Sequence, residues 1–354
     1  MIRTLAASVV LSAAASASMG QYLQIAAFVP DVQGSTGAPN FIGATIDGTT
    51  AYNVISGTNI STFHGLTKVT GLGGSKSNSV LVSQSAWDTA FGGAPTSIGG
   101  GQVFDIGTQL QVADNAGSTD AVYRITKSNG AITKYAAAAD FPAGVSAINF
   151  LGSGVLSTGE AALYDSGNKR ILATTGANAG VELISRTEFE TAFGTTATIN
   201  GFAVGASDVV YIGDNNGDRI LRYNPADDTN AVVLTTANIT AVTGGAAAGF
   251  GTNAVYAAPD GRIYFYETAV DSIMSFDPSN PVATLTTVLD AAALGAGPAN
   301  STQVQNFAWY NGNIAWTQTI GSGGQVQGIY AIPEPTTLGL IAMSGIGLLR
   351  RRRA

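Results

Sequence analysis

The sequence predicts an all-β protein folded as a single closed propeller of six blades, with seven shorter blades as the alternative. Three observations carry this expectation. Short runs rich in β-branched and aromatic residues recur between Asp, Asn, Gly or Pro: Ala121 to Ile125, Val209 to Ile212, Arg219 to Tyr223, Arg262 to Tyr266 and Ser272 to Phe276. Hairpin centres near Val122, Leu163, Val210, Val255 and Ala308 stand 41, 47, 45 and 53 residues apart. A helix-like element occurs twice, with Trp87 and Phe189 at equivalent places 102 residues apart. A period of roughly 40 to 50 residues holding about four strands is that of propeller blades, so the long repeat spans two of them.

The repeated element pairs Leu81-Val82-Ser83 and Ser85 to Gly92 with Leu183-Ile184-Ser185 and Thr187 to Gly194. Each copy predicts a short helix between strands, with a capping box (Ser85 with Asp88, Thr187 with Glu190), an aromatic pair at i and i+4, and a glycine stop. Downstream, Asp114 to Gly117 aligns with Asp214 to Gly217, and Tyr123-Arg124-Ile125 with Leu221-Arg222-Tyr223. Asp260-Gly261 and Asn311-Gly312 are turn dipeptides that accept positive φ, each between two strand-like runs. Six units of about 49 residues fit the span from Phe41 to Ile332. The last unit shows only about three strands, while Tyr22 to Val29 is an isolated strand-like run. The expectation is that this N-terminal strand completes the final blade and removes its open edge.

Composition restricts the partners. Apart from Arg3, Glu334 and the terminal arginines, the chain holds 11 basic and 22 acidic residues, a net charge of −11. No window clusters Lys and Arg as phosphate binding requires, so nucleic acid is not an expected partner. There is no cysteine, so stability rests on a core that needs no disulfides. Charged residues are 11% of the chain and glycine contributes 45 of 354 residues, consistent with a Thr, Ser, Asn and Gly surface and many tight turns.

Both ends carry the marks of export. Arg3 supplies a positive start, Leu5 to Ala17 an apolar stretch, and Ala15-Ser16-Ala17 a small-residue cleavage site, so residues 1–17 read as a signal peptide with Ser18 the first mature residue. No twin arginine precedes the apolar stretch, so the general secretion machinery is the expected route. Residues 18–332 form the propeller body, and 333–354 a separate tail. The tail is Pro333-Glu334-Pro335-Thr336, an apolar run from Leu338 to Leu349, then Arg350, Arg351, Arg352 and Arg353 before Ala354. Twelve apolar residues span roughly 18 Å as a helix, short of a ~30 Å hydrocarbon core. The reading is therefore a short hydrophobic helix for transient retention, with the arginines as a cytoplasmic stop.

This order of parts resembles the PEP-CTERM sorting tail of exported proteins in Gram-negative, polysaccharide-secreting bacteria. The resemblance implies transient insertion in the inner membrane, processing at or near Pro333-Glu334-Pro335 by an exosortase, a membrane-embedded cysteine transpeptidase, and delivery to the cell surface or extracellular matrix. In the body, Gly217 to Pro225 and Asp260 to Tyr266 resemble the turn-and-strand core of NHL-type or gluconolactonase-like propellers. That likeness is local and bears on architecture.

Little in the body points to catalysis. His64 is the one histidine of the chain, so a catalytic triad would depend on it alone, and its Phe-His-Gly context reads as structural. Gly71 to Ser77 departs from a phosphate loop, since Ser75 precedes Lys76 where glycine is required, and reads as a flexible loop. Asp214, Asn216 and Asp218 are the best metal candidates, because closely spaced oxygen donors in a turn suit Ca²⁺; the other reading is a hairpin turn. No catalytic or cofactor-binding residue is assigned. The expected function is a non-enzymatic surface or matrix propeller that binds exopolysaccharide or protein. The alternative is an exported metal-dependent lactonase- or lyase-like enzyme, for which the inner strands must bring three or more acidic or amide side chains to one end of the channel.

Overall fold

A computed structural model describes residues 23–27, 40–56, 65–91, 103–114, 121–137, 140, 148–149, 155–160, 162–165, 167–173, 181–245, 249–294, 302–320 and 326–332. An isolated first strand, β1 (Leu23–Ala27), precedes six antiparallel four-stranded sheets. Blade one is β2 (Asn40–Asp47), β3 (Thr50–Ser56), β4 (Gly65–Thr70) and β5 (Ser77–Val82). Blade two is β6 (Val103–Asp105), β7 (Gln109–Asp114), β8 (Ala121–Thr126) and β9 (Ile132–Ala137). Blade three is β10 (Ile148–Asn149), β11 (Ala162–Asp165), β12 (Arg170–Ala173) and β13 (Val181–Ile184). Blade four is β14 (Ile199–Val204), β15 (Val210–Asp214), β16 (Arg219–Asn224) and β17 (Thr229–Leu234). Blade five is β18 (Phe250–Ala257), β19 (Ile263–Glu267), β20 (Ser272–Phe276) and β21 (Thr286–Leu289). Blade six takes β22 (Thr302–Tyr310), β23 (Asn313–Ile320) and β24 (Val326–Ala331) from the end of the chain and β1 from its beginning.

The fold is thus a six-bladed propeller, and the seven-bladed alternative is set aside. First strands of neighbouring blades adjoin, β14 beside β18, β18 beside β22 and β22 beside β2, so they surround the axis and close the ring. Direction alternates along each meander. First-to-second and third-to-fourth turns therefore share one face, here the lower, while second-to-third turns and blade-to-blade connections share the upper.

The core lies between blades rather than within one. Tyr52, Val54 and Leu66 of blade one pack against Val112, Tyr123 and Ile125 of blade two, and the same pattern joins blades three and four, four and five, and five and six. Among the described residues three eight-residue helices lie on the upper connections: α1 (Gln84–Phe91), α2 (Arg186–Phe193) and α3 (Thr236–Thr243). Each buries a side chain at 0% exposure between two blades, Trp87, Phe189 and Ile239, and the first two add Phe91 and Phe193. Leu294 does the same between blades five and six, in a turn where Asp290 Oδ1 accepts from the Ala293 N–H at 2.8 Å. At about 25 cal/mol per Å² of apolar surface, each such plug stabilises its seam by a few kcal/mol.

The caps correct the sequence reading by two residues. Ser185, with extended backbone, is the N-cap of α2; its hydroxyl accepts from the Glu188 N–H, and Glu188 accepts from the Ser185 N–H at 2.7 Å. In α1 the Ala86 N–H donates to Ser83 Oγ at 3.2 Å. Thr187 already lies inside the first turn, and Glu190 instead pairs with Arg186 at 3.0 Å. The helices start two residues after a buried strand end, Val82 or Ile184, so the single residue between, Ser83 or Ser185, is the cap.

Gly71 to Lys76 is also corrected, from a flexible loop to a pinned hairpin turn on the lower face. The Leu72 N–H donates to the Thr49 carbonyl at 3.0 Å and the Gly73 N–H to the Ile25 carbonyl at 3.5 Å. Gly73 has φ 75°, and a Cβ there would stand 2.4 Å from the Tyr310 hydroxyl, so glycine is required by backbone and by space.

Candidate functional site at the channel mouth

The ends of the first strands surround the lower mouth of the axial channel. Thr45 and Ile46, Phe104 and Asp105, Val204, Tyr256 and Ala257, and Phe307 and Trp309 line a cavity of about 290 Å³, with Val155 at its rim. Phe104 and Phe307 are fixed by burial at 2% exposure, and Trp309 packs against Tyr264 with ring centroids 6.4 Å apart. Most lining residues are apolar or aromatic, but polar atoms make up about half of the surface they expose to the cavity.

Asp105 contributes the one carboxylate of the lining, and it is already paired. The Lys127 ammonium lies 2.7 Å from Asp105 Oδ1 and 2.7 Å from Asp47 Oδ2, tying together the inner strands of blades one and two. It also stands 5.5 Å from the centre of the Tyr52 ring. Burial by itself draws the Lys127 pKa down, but its hydrogen bonds to Asp105 and Asp47 outweigh that, and the net shift is upward. Tyr256 is raised by burial first and by the charge of Asp260 second, so its hydroxyl stays protonated. The cavity therefore offers the half-buried Trp309 ring and the neutral Tyr256 phenol, with a paired carboxylate at its edge.

The calcium candidates lie elsewhere, on the upper face in the turn between β15 and β16. Asp214 is 1% exposed, and its carboxylate accepts from Arg219 Nε at 2.7 Å, from the Thr198 N–H at 2.9 Å and from the Asn216 N–H at 3.2 Å. Asn216 donates to the Thr196 carbonyl at 2.9 Å, and Asp218 adopts φ 46°, the left-handed conformation of a turn residue. Burial, then the Asp214 charge, raises the Asp218 pKa. A guanidinium occupies the place beside Asp214 where a cation would sit. Asp165 with Arg170 at 2.9 Å repeats the arrangement in blade three, and Glu267 caps the Ala269 and Val270 N–H groups in blade five. These buried carboxylates close the upper hairpins, a recurrence legible only when the blades are superposed. Among the described residues no three His, Cys, Asp or Glu side chains are grouped as a metal site.

Ala15, Ala17, His64, Pro333, Glu334, Pro335 and Arg350 to Arg353 lie outside the described residues, as does the short C-terminal helix expected from the sequence. Among the described residues no helix is long and apolar enough to cross a membrane.

Comparison with known proteins bears on both parts of the chain. Residues 331–353 match the PEP-CTERM protein-sorting motif. No curated protein matches the chain. Among solved structures, a protein of unknown function from Bacteroides thetaiotaomicron shares 12% identity at TM-score 0.56, with 89% of this chain and 73% of that chain covered. A catalytically inactive virginiamycin B lyase from Staphylococcus aureus with quinupristin shares 13% identity at TM-score 0.49 over 89% of each chain. At such identities the likeness extends to the fold and no further. The chain joins a six-bladed β-propeller to a PEP-CTERM sorting motif.

Proposed function

We propose that this protein is exported, processed at its tail by an exosortase, and acts at the cell surface or in the extracellular matrix as a binding module without catalytic activity. The sorting motif supports the export step. The observation that carries the binding role is the lining of the channel mouth, where the half-buried rings of Tyr256 and Trp309 meet one cavity over the buried Phe104 and Phe307. Rigid aromatic rings suit the apolar C–H faces of sugar rings, and the acidic body disfavours polyanions, so the ligand class is a neutral glycan of the exopolysaccharide.

The test is co-sedimentation and calorimetry of the full chain with neutral exopolysaccharide, against Trp309→Ala and against Lys134→Ala as a remote control. Binding that falls about tenfold in Trp309→Ala, roughly 1.4 kcal/mol, with an unchanged circular dichroism spectrum supports the reading. Wild-type protein that leaves the polysaccharide unbound, or binding indifferent to Trp309, contradicts it.

A further inference from the structure

Antiparallel register brings the two ends of the ring together. Leu23, the first residue of β1, is the partner of Ala331, the last residue of β24. Ile332 stays pinned to the sheet, its N–H donating to the Ile314 carbonyl at 3.2 Å. The chain is thus held up to the residue before Pro333. Both strand ends lie on the lower face, the face onto which the channel cavity opens.

We infer that this lower face is turned toward the lipid bilayer in the tethered precursor, with the phospholipid headgroup layer as its neighbour; the inference rests on the sorting reading above. Reach sets the orientation. Residues 333–337 separate Ile332 from the apolar run at Leu338, and fully extended they span at most about 18 Å. Strand β23, eight residues long, rises about 26 Å from the lower to the upper face. This tether is not long enough to pass along a blade, so the upper face cannot be the one that meets the membrane.

Charge makes this proximity rather than adhesion. Asp227, Asp228 and Asp260 are exposed on lower-face turns and outnumber the exposed Lys76, while Asp47 is neutralised by Lys127, so anionic headgroups are repelled on balance. The body is held by its tether and leaves when the tether is cut. The channel mouth faces the bilayer before processing and is open to large ligands after it.

The chain has no cysteine, so single substitutions give unique labels. Thr49→Cys on the lower face and Thr195→Cys on the upper face are labelled with a fluorophore in the full chain, which is reconstituted in phosphatidylethanolamine and phosphatidylglycerol vesicles carrying a nitroxide on the headgroup. Ser128→Cys and Thr196→Cys repeat the comparison should either first variant misfold. The expected result is several-fold stronger quenching at the lower positions. Equal quenching, or stronger quenching on the upper face, in a chain that floats with the vesicles overturns the inference while the sorting reading stands. A chain that does not float with vesicles overturns both.

Discussion

The Tyr310 hydroxyl donates to the Leu72 carbonyl at 2.8 Å, joining residues 238 positions apart across the seam where the ring closes. Beside it, Ile25 of β1 packs with Leu72, Tyr310, Ile329 and Ala331. The first and last blades are therefore held by a strand pairing, an apolar cluster and a buried hydrogen bond. Deleting residues 23–27 removes the first and much of the second, and leaves β24 with an unpaired edge. The truncated chain is expected to aggregate, and light scattering checks this. Tyr310→Phe, which keeps the ring but leaves the Leu72 carbonyl without that donor, costs about 1 kcal/mol in urea unfolding.

The plugs from the upper connections should behave as core residues despite their place in connecting segments. Phe189→Ala is expected to cost about 3 to 5 kcal/mol, and Ile239→Ala and Leu294→Ala about 2 to 5 kcal/mol each. Chemical denaturation measures these. A loss below 1 kcal/mol at Phe189 would mean that α2 only lies on the ring.

Capping gives a sharper discrimination. Ser185→Ala removes the hydroxyl that accepts from the Glu188 N–H and should cost about 1 kcal/mol, whereas Thr187→Ala, inside the first turn, should change stability by a few tenths at most. The reverse order in thermal unfolding contradicts the assignment.

Stability should fall at high pH. Burial, with lesser contributions from Asp165 and Asp214, raises Tyr164 to about 12, and burial first of all raises Tyr211, Tyr223, Tyr264 and Tyr266 as well. A group with a raised folded-state pKa contributes fully below its unfolded pKa, near 10 for tyrosine, and loses that contribution as pH climbs through the folded value. For Tyr164 the window runs from about pH 10 to 12 and is worth roughly 3 kcal/mol. Lys127, also raised, loses its ion-pair contribution in the same direction above about pH 10.4. Tyrosinate absorbance and circular dichroism followed together should change together. Ionisation of these phenols near pH 10 with the fold intact contradicts the burial argument.

Much of the architecture was legible because it repeats. Trp87 and Phe189 announced a two-blade period, and the isolated run at Tyr22 announced the closing strand. The further copies of the plug were not visible, since Ile239 and Leu294 keep the apolar character and the spacing from the cap but not the aromatic ring. The caps were misplaced because Ser83 and Ser85, like Ser185 and Thr187, are both competent acceptors, and the buried strand end decides between them. Asp214 was singled out for its oxygen donors. Its partner Arg219, five residues on, is indistinguishable in sequence from an ordinary strand cation until the hairpin folds it back. The channel mouth left no local pattern at all, because its residues come one to three at a time from segments up to 265 positions apart, Ala44 to Trp309.

Mass spectrometry of the C-terminus after cell fractionation, in a host with an exosortase and in one without, tests whether the sorting tail directs the propeller to the cell surface. The wild-type chain should lose Arg350 to Arg353 and leave the inner membrane only where the enzyme is present, and replacing Pro333, Glu334 and Pro335 with alanine should trap the full-length precursor there. A wild-type chain that keeps Arg353 in both hosts and never associates with membrane contradicts it.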